Sequence, residues 1–339
     1  MSDKYQTGPL VNQTRGSYMK KLHAAAISAL VASAIAFSQA ALAKDELMLG
    51  YADPEDSIFG KAATVFADTL KDVSGGKMTV SLFPNGTLGA INEMPAMLQQ
   101  GSCDATIIVS SALVDLVPEM GVFDLPFLFA SYDDAQKAVE GEVGAKLAQK
   151  IEEQGMHLEG WMTMGFREVT SNKEIKSLAD FKGLKIRTQS NEVHQDIFKA
   201  LGAAPTVINF SELYTALEQG TVDAEENPYV NIYNNTYYEV QKYLVETNHV
   251  FQVAGLVFSK DTYDGLSDEQ KSWVGQAAKA AVKAEWEATK QDNAKARDGA
   301  IAKGMKAVTL DHQALVDATK GVYDKYRSKY ADLLQLLGR

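Results

Sequence analysis

Residues 165–228 read GFREVTSNKEIKSLADFKGLKIRTQSNEVHQDIFKALGAAPTVINFSELYTALEQGTVDAEENP. Arg167 and Arg187 each follow an apolar residue where short strand-like runs end, and Asn227-Pro228 closes the segment after an acidic stretch. An arginine fork matches a carboxylate through two parallel bonds. Asn227 offers both a donor and an acceptor, and Pro228 fixes the backbone beside it. The pattern predicts a site that holds a small acid without transforming it.

The segment also sets the fold. Leu184–Arg187 reads as a strand, Glu192–Leu201 as a helix stopped by Gly202, and Thr206–Ile208 as a strand. Ser211-Glu212 opens a helix that Gly220 ends. Upstream, Glu46–Tyr51 reads as a strand. Phe59, Ala62, Ala63, Phe66, Leu70 and Val73 recur at helical spacing, and Met78, Val80 and Leu82 alternate as a strand. Glu93–Gln100 reads as a helix, Ala105–Val109 as a buried strand, Asp133–Gln154 as one long amphipathic helix and His157–Trp161 as a strand. Val253–Phe258 is a returning strand, and His312–Tyr330 reads as a final helix. Such alternation predicts α/β layers.

Ser267-Asp268-Glu269-Gln270 is a capping-box pattern, and Ala-, Lys- and Glu-rich sequence follows to about residue 303. A helix of that length spans about 50 Å. A break near Asp292-Asn293 is the alternative.

Six pieces carry a resemblance. They are Gly165-Phe166-Arg167, Asp180–Arg187 (DFKGLKIR), Phe198–Ala203 (FKALGA), Glu212–Leu217 (ELYTAL), Gly220–Asp223 (GTVD) and Glu226-Asn227-Pro228. In this order and spacing the chain resembles the extracytoplasmic solute receptors of TRAP transporters, the DctP-like binding proteins. Fainter similarity extends over Leu125-Pro126-Phe127 and Tyr238–Tyr243. The resemblance implies a two-lobed, periplasmic-binding-protein-like α/β fold with a cleft between the lobes and a long bridging helix. It implies that Arg187 clamps a ligand carboxylate and that Arg167 and Asn227 line the same site. The partners it implies are a small organic acid and the membrane subunits of a TRAP transporter, with the receptor a monomer. Relatives that hold a metal with the ligand carry a Trp after the acidic pair. Asn227-Pro228 stands there instead, so neither metal nor cofactor is expected. Val109-Ser110 lacks the acid found in sialic-acid receptors, which directs the expectation to a C4-dicarboxylate or a sugar acid.

The expected division places 44–166 with about 252–292 in lobe I, and 167–251 with about 293–339 in lobe II. Residues about 267–303 bridge the two. Further ligand contacts are expected from Phe210, as an apolar wall, and from Asp53 and Glu93, as acceptors of sugar hydroxyls. Each acid is equally explained as a helix-start or surface carboxylate. Tyr229, Tyr233, Tyr237, Tyr238 and Tyr243 crowd one stretch and are read mainly as packing.

The chain of 339 residues carries a net charge of −11 and a hydrophobic content of 46%. That content supports a real core. Lys20-Lys21 precede the apolar run Ala24–Phe37, and Ala41-Leu42-Ala43 offers a cleavage site, so 1–43 is read as an upstream segment and secretory signal starting at Met19. An uncleaved anchor is the alternative. Removing 1–43 takes away Lys4, Arg15, Lys20 and Lys21 but only Asp3, moving the charge from −11 to −14. Such acidity disfavours nucleic acid and anionic membrane surfaces. Cys103, the one cysteine, is read as a core residue. The sequence has no G-x-S-x-G, H-E-x-x-H or G-x-G-x-x-G, and His157, His194, His249 and His312 lack ligand spacing. A receptor is therefore expected rather than an enzyme; the alternative is a secreted carboxylate-dependent hydrolase of α/β fold.

Overall fold

The structure, a computed structural model, describes Met1, Ser2 and residues 45–339. The expected signal segment with its cleavage site after Ala43 lies outside the described residues. From residue 45 the strands are β1 (Glu46–Gly50), β2 (Thr79–Phe83), β3 (Ala105–Val109), β4 (Met156–Ser171), β5 (Lys185–Thr188), β6 (Ala204–Val207), β7 (Ala224–Pro228), β8 (Tyr243–Ser259) and β9 (Lys306–Thr309). The helices are α1 (Ile58–Val73), α2 (Met94–Gln99), α3 (Tyr132–Glu140), α4 (Glu142–Glu153), α5 (Glu192–Ala200), α6 (Leu213–Glu218), α7 (Tyr229–Asn234), α8 (Lys260–Gly265), α9 (Asp268–Ala302), α10 (His312–Arg327) and α11 (Ala331–Leu336).

All nine strands join one mixed sheet, in the order β2-β1-β3-β8-β4-β7-β5-β6, with β9 on β8. The sheet has two halves because β4 and β8 run through both. Near its start β4 pairs with the end of β8, from Met156 opposite Ser259 to Thr163 opposite Val253. There β8 also pairs with β3, and β1 and β2 continue parallel beyond it. Past the crossing, Arg167–Ser171 of β4 pair with β7, and β5 and β6 continue parallel beyond that. The short strand expected at His157–Trp161 is thus the first part of a 16-residue strand. Val253–Phe258 likewise belongs to a 17-residue one. Turn residues cannot disclose such lengths, because the strands pass from lobe to lobe without a turn.

Between the halves the ladder slips at Thr163/Gly165, where Gly165 has φ +88°. A Cβ there would lie 2.3 Å from the Tyr132 hydroxyl and 3.0 Å from Asn293 Nδ2. Glycine is therefore required by both conformation and space.

The long helix is one continuous element of 35 residues, and no break occurs at Asp292-Asn293. Ser267 and Gln270 cap it reciprocally, at 3.2 Å (Gln270 N to Ser267 Oγ) and 3.0 Å (Ser267 N to Gln270 Oε1). Asn293 turns its amide inward and donates to the Met164 carbonyl at 2.9 Å, so the residue that read as a breaker ties α9 to β4 beside the crossing. Trp286 Nε1 adds a bond to the Trp161 carbonyl at 2.9 Å.

One helical expectation needs correction. Asp133–Gln154 is two helices, because Gly141 adopts extended backbone (φ −95°, ψ −159°) between α3 and α4. The turn brings Gly144 so close to Val139 that a Cβ would sit 1.7 Å from its carbonyl oxygen. The expected last helix also ends early, at Arg327, with α11 following. Cys103 is buried, with its thiol 3.0 Å from the Ala105 carbonyl. No helix among the described residues is long and apolar enough to cross a membrane.

Candidate functional site

The strand order β4-β7-β5 puts Arg167, Asn227 and Arg187 on three adjacent strands, in the half of the sheet beyond the crossing. All three are buried. Antiparallel register sets Arg167 opposite Pro228 and Glu168 opposite Asn227. Asn227 therefore lies in a strand, with its side chain held in the sheet beside Arg167.

Arg167 is heavily engaged. Its Nε pairs with Glu226, its two terminal nitrogens donate to Gln252 Oε1 at 2.7 Å and Asn227 Oδ1 at 3.1 Å, and a further bond reaches Glu226 Oε1 at 3.0 Å. Burial pushes the Glu226 carboxyl up, but the Arg167 guanidinium, His194 and His249 outweigh it and hold the group well below the usual carboxylate range. His249 Nε2 is 3.2 Å from this carboxylate. His194, on α5, is fully buried. Its ring lies between Asp124 Oδ1 at 3.2 Å and Glu226 Oε1 at 3.5 Å. Burial alone lowers a histidine pKa; here Glu226 and Asp124 overcome it and raise it.

Arg187 differs in kind. Its Nε donates to the Ile208 carbonyl at 2.9 Å. Among the described residues no carboxylate lies within ion-pair distance of it. Burial weakens its hold on its proton, partly offset by Tyr237 and Glu226. A buried guanidinium without its own counter-ion is a strong anion receptor, because the desolvation cost is already met in the fold.

Directly after Ile208, Asn209 and Phe210 form the wall of a cavity of about 540 Å³. One side comes from loops after β1 and β2, including Ala52, Pro54, Asn85 and Asn92; the other adds Ser211, Tyr214, Asn235 and Tyr237. Phe210 is half-buried and presents apolar surface to the cavity. Asp53 sits between two wall residues, buried, and accepts from Asn231 Nδ2 at 3.1 Å. Burial pushes its carboxyl up to about 6, against the bond from Asn231. Glu93 stands apart: it is exposed, and its Oε2 accepts from Ala90 N of its own loop at 2.8 Å.

Of the tyrosine cluster, Tyr237 is buried and reaches the cavity. Tyr229 bonds Glu246 at 3.2 Å, and Tyr233 packs against Gly299 of α9. Sequence reasoning missed Glu225, Glu226, His249, Asp124 and Gln252. The doubled acid before Asn227 was the one local signal; the other three come from distant segments. Thr188 Oγ1 and Ser110 Oγ, buried at the ends of β5 and β3, make no hydrogen bond among the described residues.

Comparison with known proteins agrees with this architecture. Residues 49–329 match the DctP family, described as bacterial extracellular solute-binding protein, family 7. The chain is 33% identical over 321 residues to the 2,3-diketo-L-gulonate-binding periplasmic protein YiaO of Escherichia coli K12, covering 93% of this chain and 98% of that one. The sugar acid binding protein DctPAm of Advenella mimigardefordensis, solved with galactonate, superposes with a TM-score of 0.84 at 32% identity, covering 87% of this chain and 96% of that one. A TRAP periplasmic solute-binding protein of Shewanella oneidensis, solved with succinate, gives 0.84 at 27% identity, covering 87% and 98%. This chain therefore belongs to the DctP family of bacterial extracellular solute-binding proteins, a family of substrate-binding receptors with two-lobed α/β architecture.

Proposed function

We propose that the chain is a periplasmic receptor that holds a sugar acid by its single carboxylate on Arg187 and delivers it to a TRAP-type membrane transporter. The observation that carries this is the buried Arg187, without a carboxylate partner among the described residues, next to a wall of neutral polar side chains. Asn85, Asn92, Asn209, Asn235 and Ser211 carry groups able to donate to and accept from hydroxyls, and Tyr214, whose own proton goes to Glu239 at 3.0 Å, can accept. The wall holds no Lys or Arg, and Asp53 beside it favours hydroxyls over a second carboxylate. Among the expected ligand classes, this supports a polyhydroxy monocarboxylate over a C4-dicarboxylate. Its size falls within the about 300–1,000 Å³ of ordinary ligand sites.

Phe210 supplies an apolar face, while Arg187, Asn227 and Arg167 are buried and do not themselves line the cavity. Arg167 acts mainly by fixing Glu226 and Asn227, since its own donors are largely spent. Closure of the lobes about Gly165, as the strands of the crossing flex, lowers the local dielectric and strengthens each contact. The reading involves neither an activated nucleophile nor a metal.

Calorimetry with galactonate, L-gulonate, D-erythronate and succinate tests the reading. Binding of a sugar acid with succinate at least tenfold weaker supports it. Preference for succinate overturns the ligand class, and binding of a neutral sugar but no acid overturns the clamp.

A further inference from the structure

Glu225 lies one residue from the acid that neutralises Arg167, yet its surroundings are quite different. It is fully buried on β7, directly opposite Thr170 of β4 in the sheet register. Its Oε2 accepts from Asn227 Nδ2 at 2.6 Å, and its Oε1 is 2.8 Å from Thr170 Oγ1. Among the described residues no cation lies within ion-pair distance of it.

Thr170 Oγ1 is also 3.2 Å from Gln241 Oε1. Gln241 is buried, and its Nε2 donates to the Val240 carbonyl at 3.0 Å, which turns its oxygen toward Thr170. A hydroxyl carries one proton, so it cannot donate to both acceptors. With Glu225 ionised, one buried oxygen loses its donor, at a cost of about 1–3 kcal/mol. A protonated Glu225 resolves the conflict: its O–H donates to Thr170 Oγ1, and Thr170 donates to Gln241. Burial, as the largest influence, also pushes this carboxyl up, to about 7, against the bonds from Asn227 and Thr170.

The charged groups facing Glu225 are Arg187 on β5, which favours ionisation, and Glu226 on its own strand, which opposes it. Tyr237 lies within electrostatic reach of Glu225, Arg187 and Arg167. A ligand carboxylate on Arg187 adds a negative charge and removes part of that arginine's pull on Glu225. Both effects favour the neutral acid. An ionised Glu225, conversely, competes with the ligand for Arg187.

We propose that Glu225 is a positioning residue that couples ligand binding to a proton: it orients the Asn227 amide as a neutral carboxylic acid, and an organic acid binds with proton uptake and loses affinity as pH rises through neutrality. This rests on the receptor reading above.

The test is calorimetry of galactonate and succinate binding to the wild type and Glu225→Gln between pH 5.5 and 8.5. Two buffers of different ionisation enthalpy count the protons exchanged. The wild type is expected to take up a fraction of a proton near pH 7 and to lose affinity several-fold between pH 6 and 8.5. Glu225→Gln, which keeps both hydrogen bonds, is expected to show neither effect. An unchanged pH slope in the variant, or no proton exchange by the wild type, overturns the proposal. Failure of both acids to bind at any pH counts against the receptor reading alone. Carbon-13 NMR of glutamate carboxyls in the ligand-free wild type then decides Glu225: titration near neutrality supports its neutral form, and titration below about pH 5 overturns it.

Discussion

Arg167 and Glu226 form a buried ion pair between neighbouring strands, and Arg187 on the next strand has no such partner among the described residues. The two arginines are thus not equivalent. One holds the site together, with Glu226 further tied to His249 and His194. The other remains available to an anion.

Arg187→Ala is expected to weaken sugar-acid binding by about 2–4 kcal/mol, roughly 30- to 1,000-fold, by removing charge-assisted bonds. Stability changes little, because among the described residues the hydrogen bond lost is that to the Ile208 carbonyl. Paired calorimetry and thermal unfolding check this. Affinity within threefold of the wild type refutes the clamp.

Glu226→Ala acts on stability first. It leaves Arg167 buried and unpaired, which costs about 3–5 kcal/mol. Adding Arg167→Ala is expected to recover part of that loss, since the orphaned charge goes with it. Denaturant unfolding of both single variants and the double variant measures the coupling; strict additivity would show that the pair is not a unit.

Glu285 gives a pH dependence. It is buried on α9, with Oε1 2.6 Å from Thr289 Oγ1 and Oε2 3.3 Å from Thr163 N. Burial pushes its carboxyl from 4.5 up to about 8. Below 4.5 folded and unfolded chains are both protonated; between 4.5 and 8 only the folded chain keeps the proton, so stability falls as pH rises. Glu285→Gln preserves both contacts and removes that loss. The variant is expected to melt with the wild type near pH 4.5 and above it by pH 8, with a gain on the order of a few kcal/mol. Melting curves across this range decide the matter; a constant difference rules out the assignment.

Phe210 and Glu93 provide a contrast. Phe210→Ala removes apolar wall from the cavity and is expected to weaken binding about tenfold, with less destabilisation than truncation of a fully buried ring. Glu93→Ala is expected to leave affinity within threefold, because this exposed carboxylate is committed to Ala90 N. Titration of both variants with galactonate tests the pair, and a large loss in Glu93→Ala would bring that residue into the site.

The sequence by itself determined what local interactions encode. The Ser267/Gln270 cap, the helix it opens and the short apolar strand Ala105–Val109 all follow from neighbours within a few residues, whereas continuity of that helix through Asp292-Asn293 was decided with the packing of Asn293 on β4. The order of six motif pieces identified the family and singled out Arg187. Tertiary structure alone decided which charges cancel. Glu226 neutralises Arg167 because β4 and β7 are antiparallel neighbours, and His194 and His249 join it from α5 and β8. The two long strands were also hidden, because continuity from lobe to lobe leaves no turn residue to read. The same holds for Glu225. Two adjacent glutamates look alike in a sequence, but alternate side chains in a strand face opposite ways, and only the packing on each side makes one a counter-ion and the other a buried acid.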